Sequence, residues 1–210
     1  EYALLVIFQG MDASGKDGAV EKVFKACHPS GLQVFSFKKP TEEEFAHDFL
    51  WRAHKKTPPK GMIHIWNRSH YEDVLIQRVH GWIDEQQVAQ RIKAINAFEE
   101  LLAFDNNTIV CKFFLHISYE QQEEELMQRI NEDEKHWKHN DSDWKEREYW
   151  PEYMRCYEEV LNRSTIPWVI TPVDKRWYRD YIVAKALVGQ LEALPLEYPP
   201  LKDYLYAPKS

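Results

Sequence analysis

"YALLVIFQGMDASGKDG", residues 2–18, decides how the rest of this 210-residue chain is read. The run "YALLVIFQ" (2–9) has the length and continuity of a strand buried on both faces of a sheet. Gly10, Gly15 and Lys16 follow with the spacing Gly-x4-Gly-Lys, and a helix is expected from Gly15 to about Ala26. A glycine-rich turn between strand and helix lets backbone N–H groups converge on phosphate oxygens at the positive end of the helix dipole. Lys16 adds a mobile point charge. This spacing arises by chance elsewhere; the strand before it and the helix after it are the context that gives it meaning. Ala13, Ser14, Gly15 and Gly18 are therefore expected to line a phosphate site. Two residues look out of place. Asp12 sits inside the loop, and Asp17 stands where such loops normally carry a Ser or Thr for magnesium.

Outward from the loop, strands alternate with helices. "LQVFSF" (32–37), "MIHIW" (62–66), "NTIVCKFFLHIS" (107–118) and "PWVIT" (167–171) are the further strands expected. Thr41 with Glu44, and Ser118 with Gln121, have capping-box spacing and predict helix starts. "KKTPPKG" (55–61) breaks the first of these helices. Others are predicted over about 70–78, 85–104 and 149–162. In a last helix Trp177, Tyr181, Ala184, Val188 and Leu191 share the face expected to close the core. The Pro- and Tyr-rich tail "PLEYPPLKDYLYAPKS" (195–210) is expected on the surface. The pattern predicts an α/β fold: a mostly parallel five-stranded sheet with helices on both faces, one domain over 1–210.

The composition, 44% hydrophobic and 29% charged, is that of an ordinary globular protein. No apolar run reaches the ~18–20 residues of a membrane span, and no signal-peptide pattern is present, so no membrane role is expected. Cys27, Cys111 and Cys156 are widely spaced and form no C-x-x-C pair. That speaks against a disulfide framework or zinc site and for a reducing cytoplasm. The net charge of −7 speaks against general nucleic-acid binding. Residues 1–80 hold 11 Lys and Arg against 10 acids, and the remainder 16 against 24, so a polyanion would need a local basic cluster in the first part. The chain opens on Glu1, almost directly on a strand, which leads us to expect sequence upstream.

Other phosphate-loop classes fit less well. The Asn-Lys-x-Asp motif of GTPases is absent, and "MIHIW" ends at Asn67 instead of the Asp of many ATPases. Arg68 follows that strand's carboxyl end, where parallel α/β sheets meet their ligands, and its fork suits bidentate phosphate binding. A helix-capping or ion-pair role is the alternative. "GMDASGKDG", "QVFSFKKPTEEEFAHDFLWR" (33–52), "NRSHYEDVLIQRVHG" (67–81) and "VDKRWYRD" (173–180) occur in this order. Together they resemble the second family of polyphosphate kinases, thymidylate-kinase-like phosphate-loop enzymes, over about residues 3–190. The resemblance implies a P-loop kinase fold with a helical lid. It also implies reversible phosphoryl transfer between inorganic polyphosphate and adenine nucleotides, with guanine as the alternative base. Mg²⁺ is the implied cofactor, Mn²⁺ the alternative, and a homo-oligomer (dimer or tetramer) is expected.

By that resemblance Asp12 is the catalytic loop acid, positioning Mg²⁺ and the acceptor phosphate, and Lys16, Arg68 and Glu72 are its companions. Polyphosphate arrives with bound magnesium, so Asp12 and Asp17 could hold the ion against substrate oxygens. For Asp17 a first-turn acid favoured by the helix dipole is an equal alternative. Asn67 and Arg78 are further phosphate or nucleotide candidates. Lys22, Lys25, Lys38 and Arg52 could line a polyphosphate track; solvated lysines, and an Arg52–Asp48 pair at i,i+4, are the plainer readings. The stretch around 129–150 resembles the family's lid, which would bring Arg129, Lys135 and Lys138 over the phosphates. Trp137 and Trp144 would pack its hinge or touch the base. His136 and His139, near Asp141 and Asp143, are read as exposed lid residues and not as a metal site. Asp174 is expected to cap the last helix, and Arg179 has no assigned role. Asn67 and Glu72 replace the Asp and Asn of members limited to diphosphate acceptors, which resembles the subfamily that also accepts AMP. Two other readings compete. An ATP-dependent nucleoside monophosphate kinase of thymidylate-kinase type is disfavoured by the loop acids. A catalytically silent binding module is disfavoured by the joint presence of Asp12, Lys16, Arg68 and the lid cations.

Overall fold

All seven residues of the first strand, β1 (Ala3–Gln9), are buried because β1 is the middle of the sheet. In the computed structural model, which describes residues 1–198, it is joined by β2 (Leu32–Ser36), β3 (Ile63–Asn67), β4 (Thr108–His116) and β5 (Trp168–Pro172). The order is β2-β3-β1-β4-β5, and every pairing is parallel. Phe8 lies opposite Asn67 on one side and Phe113 on the other, so β1, β3 and β4 end side by side. After β1 the chain builds β2 and β3 on one side, then crosses to β4 on the other. The crevice at the carboxyl end of β1 is thus the switch point where open α/β sheets bind ligands.

The connections carry α1 (Lys16–Val23), α2 (Glu42–Phe45), α3 (Trp51–His54), α4 (Ile76–Val79), α5 (Glu85–Asn106), α6 (Tyr119–Asn131), α7 (Asp141–Arg147), α8 (Trp150–Arg163) and α9 (Arg176–Glu192). Alternate residues of a strand point to opposite faces. Val6 and Phe8 join a cluster with Ala19 of α1, Tyr157 of α8 and Val183 of α9. Leu5 and Ile7 pack with Ala53 of α3 and with Phe98 and Leu102 of α5. Helices on both faces are the reason the β1 run contains no polar alternation. Among the described residues no helix is long and apolar enough to cross a membrane.

Several local expectations change. The first helix stops at Val23 instead of Ala26, and 70–78 splits into a 3₁₀ turn, His70–Val74, and α4. The Thr41–Glu44 box forms, but its helix ends at Phe45 and a separate one begins at Trp51. Only half of the Ser118 box forms: the Ser118 hydroxyl accepts from the Gln121 N–H. The Ser118 N–H donates instead to Asp174 Oδ1 at 3.0 Å. Asp174 therefore serves the start of α6, and Lys175, not Asp174, is the N-cap of α9. The buried face of α9 is also different. Trp177, Tyr181 and Val188 are 71%, 53% and 50% exposed, whereas Arg179, Val183 and Leu187 are buried. Arg179 is anchored on the loop after β1, and i,i+4 spacing turns Val183 and Leu187 inward with it. In the expected surface tail Leu196 and Tyr198 are exposed; residues 199–210 lie outside the described residues.

Candidate active site

The loop between β1 and α1 turns through Gly10 (φ +151°), Ala13 (φ +64°) and Gly15 (φ +78°). A Cβ on Gly10 would collide with the Leu115 carbonyl oxygen, and one on Gly15 with the Arg179 guanidinium. Both the backbone angle and the close approach therefore demand glycine there. Gly15 is the N-cap of α1, and no side chain caps that helix. Its first N–H groups are left to an anion. Lys16 Nζ donates to the loop's own carbonyls, Gly10 O at 2.8 Å and Met11 O at 2.9 Å. Burial, then the nearby Arg68 charge, push Lys16 down to about 8 against the pull of Asp12, Glu72 and Asp17.

Arg68 follows β3 with φ +58°, the left-handed region that non-glycine residues seldom occupy. Its N–H donates to Phe8 O at 3.0 Å, and its guanidinium donates to Asp12 Oδ1. Burial opposes ionisation of Asp12, but Arg68 and Lys16 outweigh it and hold the carboxyl below its usual range. Beside this pair the Asn67 amide donates to Asp17 Oδ1, tying the end of β3 to the first turn of α1. On the opposite side Arg179 Nη1 donates to Gly15 O at 3.0 Å and pairs with Asp180. These groups line a cleft of about 600 Å³ that holds nine cationic side chains against five carboxylates. A second cleft, about 810 Å³, meets it at Arg68, Phe37 and Lys38. Glu72, Arg52 and Arg91 line it together with Phe45, Trp82, Ile76 and Ile83. Burial pushes the Glu72 carboxyl up, only partly countered by Arg68 and Lys16.

A family model described as polyphosphate kinase 2 matches residues 1–198. The chain belongs to the polyphosphate kinase 2 family. It is 43% identical over 202 residues to an AMP/ADP-polyphosphate phosphotransferase of Meiothermus ruber, covering 95% of this chain and 75% of that protein. It is 39% identical over 213 residues to an ADP-polyphosphate phosphotransferase of Rhodopseudomonas palustris, covering 94% and 73%. The crystal structure of polyphosphate kinase 2 from Arthrobacter aurescens TC1 superposes with a TM-score of 0.93 at 40% identity, covering 97% of this chain and 73% of that one.

In this polyphosphate kinase 2 chain, most of the residues singled out in the sequence converge. Asp12, Ala13, Ser14, Gly15, Lys16, Asp17, Gly18, Lys22, Lys38, Asn67 and Arg68 all line the first cleft, as do Arg129, Lys135 and Lys138 from the lid segment. Glu72 lines the second. Three do not fit their expected use. Arg78 is buried between Glu85 and Glu159 (2.8 Å to the latter), where it ties α4 to α5 and α8 and faces neither cleft. Arg52 pairs with Asp73 at 3.0 Å instead of Asp48, donates to Lys38 O, and belongs to the second cleft. Lys25 is exposed and borders neither cleft, because α1 ends before it.

In the lid segment Arg129 donates to Asp143 Oδ2 at 2.6 Å, and Lys135 pairs with Glu132 at 2.7 Å. Trp137 is 78% exposed under the Lys138 ammonium, and Trp144 is half-buried. His136 contacts Ile130 O, and His139 contacts Asp141. Among the described residues no three His, Cys, Asp or Glu side chains gather as a metal site. Mg²⁺ ordinarily takes one or two carboxylates and fills its octahedron with water and phosphate oxygens. Asp12 and Asp17, both facing the cleft, fit an ion of that kind arriving with its phosphate. They do not form a complete protein cage.

Some participants escaped the sequence reading. Gln122 Nε2 donates to Asp12 O at 3.0 Å, holding the loop from α6. Arg176 reaches the first cleft and pairs with Glu125 at 2.7 Å. The available signal was position: "VDKRWYRD" follows the carboxyl end of β5 as Arg68 follows that of β3.

Proposed function

We propose that this chain transfers phosphoryl groups reversibly between inorganic polyphosphate and both AMP and ADP. The observation that carries the reading is the pair of unlike clefts sharing Arg68. The first gathers nine cationic side chains against five carboxylates, which suits a chain of phosphates. The second has exposed aromatics, Phe45 and Trp82, at 60% and 66%. These suit the base of an acceptor whose phosphate points at Arg68. The relatives' names, AMP/ADP-polyphosphate and ADP-polyphosphate phosphotransferase, support the same substrates.

The chain's own residues do positioning and charge work, which is most of what phosphoryl transfer needs. The α1 N–H groups and Lys16 hold the terminal phosphate of the donor. Arg68, kept charged by Asp12, bridges donor and acceptor oxygens from the common wall of the clefts. Arg129, Lys135 and Lys138 cover the transferring group as the lid of one kinase domain. Asp12, with Asp17, would hold Mg²⁺ (or Mn²⁺), which when bound neutralises phosphate charge that would otherwise repel both acids. Glu72 places a carboxyl in the second cleft, and the uncharged Asn67 lines the first beside Asp17; we assign AMP acceptance to this pair.

The test is direct: purified protein with polyphosphate, Mg²⁺ and AMP or ADP, and no ATP, should form ADP and ATP. Phosphorylation of AMP by ATP with polyphosphate ignored would overturn it. Running both reactions with guanine nucleotides measures base preference. The three free thiols support a cytoplasmic setting. The apolar exposed side of α9 supports a dimer or tetramer, and light scattering that returns the mass of one chain would remove it.

A further inference from the structure

Under the sheet, bordering neither cleft, several ionic and polar side chains are wholly buried. Lys112 on β4 and Glu99 on α5, 1% and 0% exposed, form an ion pair of 2.6 Å. Lys112 Nζ also donates to Tyr71 Oη at 2.8 Å and lies over the rings of Tyr71 and Trp168. His70 is fully buried, with Nε2 3.4 Å from Glu99 Oε1; neither atom has another hydrogen-bond partner. Apolar side chains of similar volume can hold a core as well as a buried ion pair does. The interest of this pair lies in what it grips.

It grips residues 70 and 71, the turn between Arg68 and Glu72. The same turn is held from the loop side, where Gln9 Nε2 donates to Ser69 Oγ at 2.9 Å and Ser69 Oγ accepts the Tyr71 N–H at 3.2 Å. Arg68 itself stands in a left-handed backbone conformation, which persists only where the surroundings over-determine it. We propose that Glu99 and Lys112 are positioning residues: through His70 and Tyr71 they set where Arg68 points into the clefts. This rests on the role given to Arg68 above.

The test is a double-mutant cycle on phosphotransfer from polyphosphate to ADP, with melting temperature recorded for every variant. Glu99→Gln keeps the volume and removes the charge. A small misplacement of a catalytic group costs up to ~10²-fold in rate, so kcat should fall roughly tenfold. KM for polyphosphate should stay within about twofold, since α1 and Lys16 are untouched. In an Arg68→Ala background the same substitution should change kcat less than about twofold while lowering the melting temperature as much as before. Tyr71→Phe, which removes only the hydroxyl that Lys112 holds, should show the same dependence on Arg68 and serves if Glu99→Gln does not fold. Equal losses of kcat in both backgrounds, with Arg68→Ala itself impaired, would overturn the inference and leave the proposed function standing. An unimpaired Arg68→Ala would overturn both.

Discussion

Lys16 and Asp12 both line the first cleft, with Arg68 paired to Asp12, and the proposed role of each rests on its charge, Lys16 toward phosphate and Asp12 toward the metal and Arg68. Lys16→Ala and Asp12→Asn should each lower kcat at least ~10²-fold, because charge stabilisation is nearly all that phosphoryl transfer draws from a protein. Circular dichroism should be unchanged. Lys16 also predicts a pH dependence. Its pKa is lowered from 10.5 to about 8, so the ammonium is lost as pH rises through 8. The kcat/KM for polyphosphate should then fall about tenfold per pH unit on that limb, and the limb should be missing in Lys16→Ala. Stability has its own sign. Between 8 and 10.5 the unfolded chain binds more protons at this site than the folded one, so stability rises with pH across that window. The cost of the buried ammonium is present below it.

The segment from Asn67 to Val74 leaves β3, bends at Arg68 and tightens into a 3₁₀ turn; Asn67, Arg68 and Glu72 line the clefts while Ser69, His70, Tyr71 and Val74 are buried. Glu72 faces the cleft, and Glu72→Asn should impair the AMP reaction more than the ADP reaction, shifting the ratio of the two kcat/KM values by ~10-fold. Equal losses would make Glu72 a general structural or metal residue. In the same cleft, Trp82→Ala should raise KM for both nucleotides by ~10-fold with kcat little changed, since stacking on a base is worth ~1–3 kcal/mol. A KM that moves for polyphosphate instead would put the base elsewhere. Such turn geometry is hard to read from residues alone. A run such as "SHYEDV" is compatible with an α-helix, and what tightened it was the Ser69 hydroxyl together with the buried grip on Tyr71.

In the folded molecule the cationic cleft lies at the carboxyl edge of the sheet. The first cleft collects cations from the segments just after β2 and β3 and from α1, α6, the lid segment and α9, although the chain as a whole carries −7. Excess chelator should therefore abolish both the AMP and ADP reactions, because bare polyphosphate would meet Asp12 and Asp17 unscreened. Restoration by added Mg²⁺ checks this, and undiminished turnover in chelator would remove the metal from the reading. Beside the cations of residues 1–80 and the lid's Arg129, Lys135 and Lys138, both expected there, Arg176 and Arg179 also line this cleft.

Much of this was determined locally and was legible in the residues. β1 is apolar from Ala3 to Phe8 because a central strand touches helices on both faces, and the positive φ at Gly10 and Gly15 is a local backbone demand that favours glycine. The Thr41–Glu44 cap is local in the same sense. The destinations of long side chains were not. Arg78 and Arg52 sit in the expected motifs yet point at Glu85, Glu159 and Asp73. Arg179 and Val183 took the buried face of α9 from Trp177 and Tyr181. An arginine reaches several ångströms, and its partner is chosen by which element folds within that reach. Helical periodicity names a face but not the neighbour that covers it. Those choices belong to the packing of distant segments, and only the tertiary structure makes them.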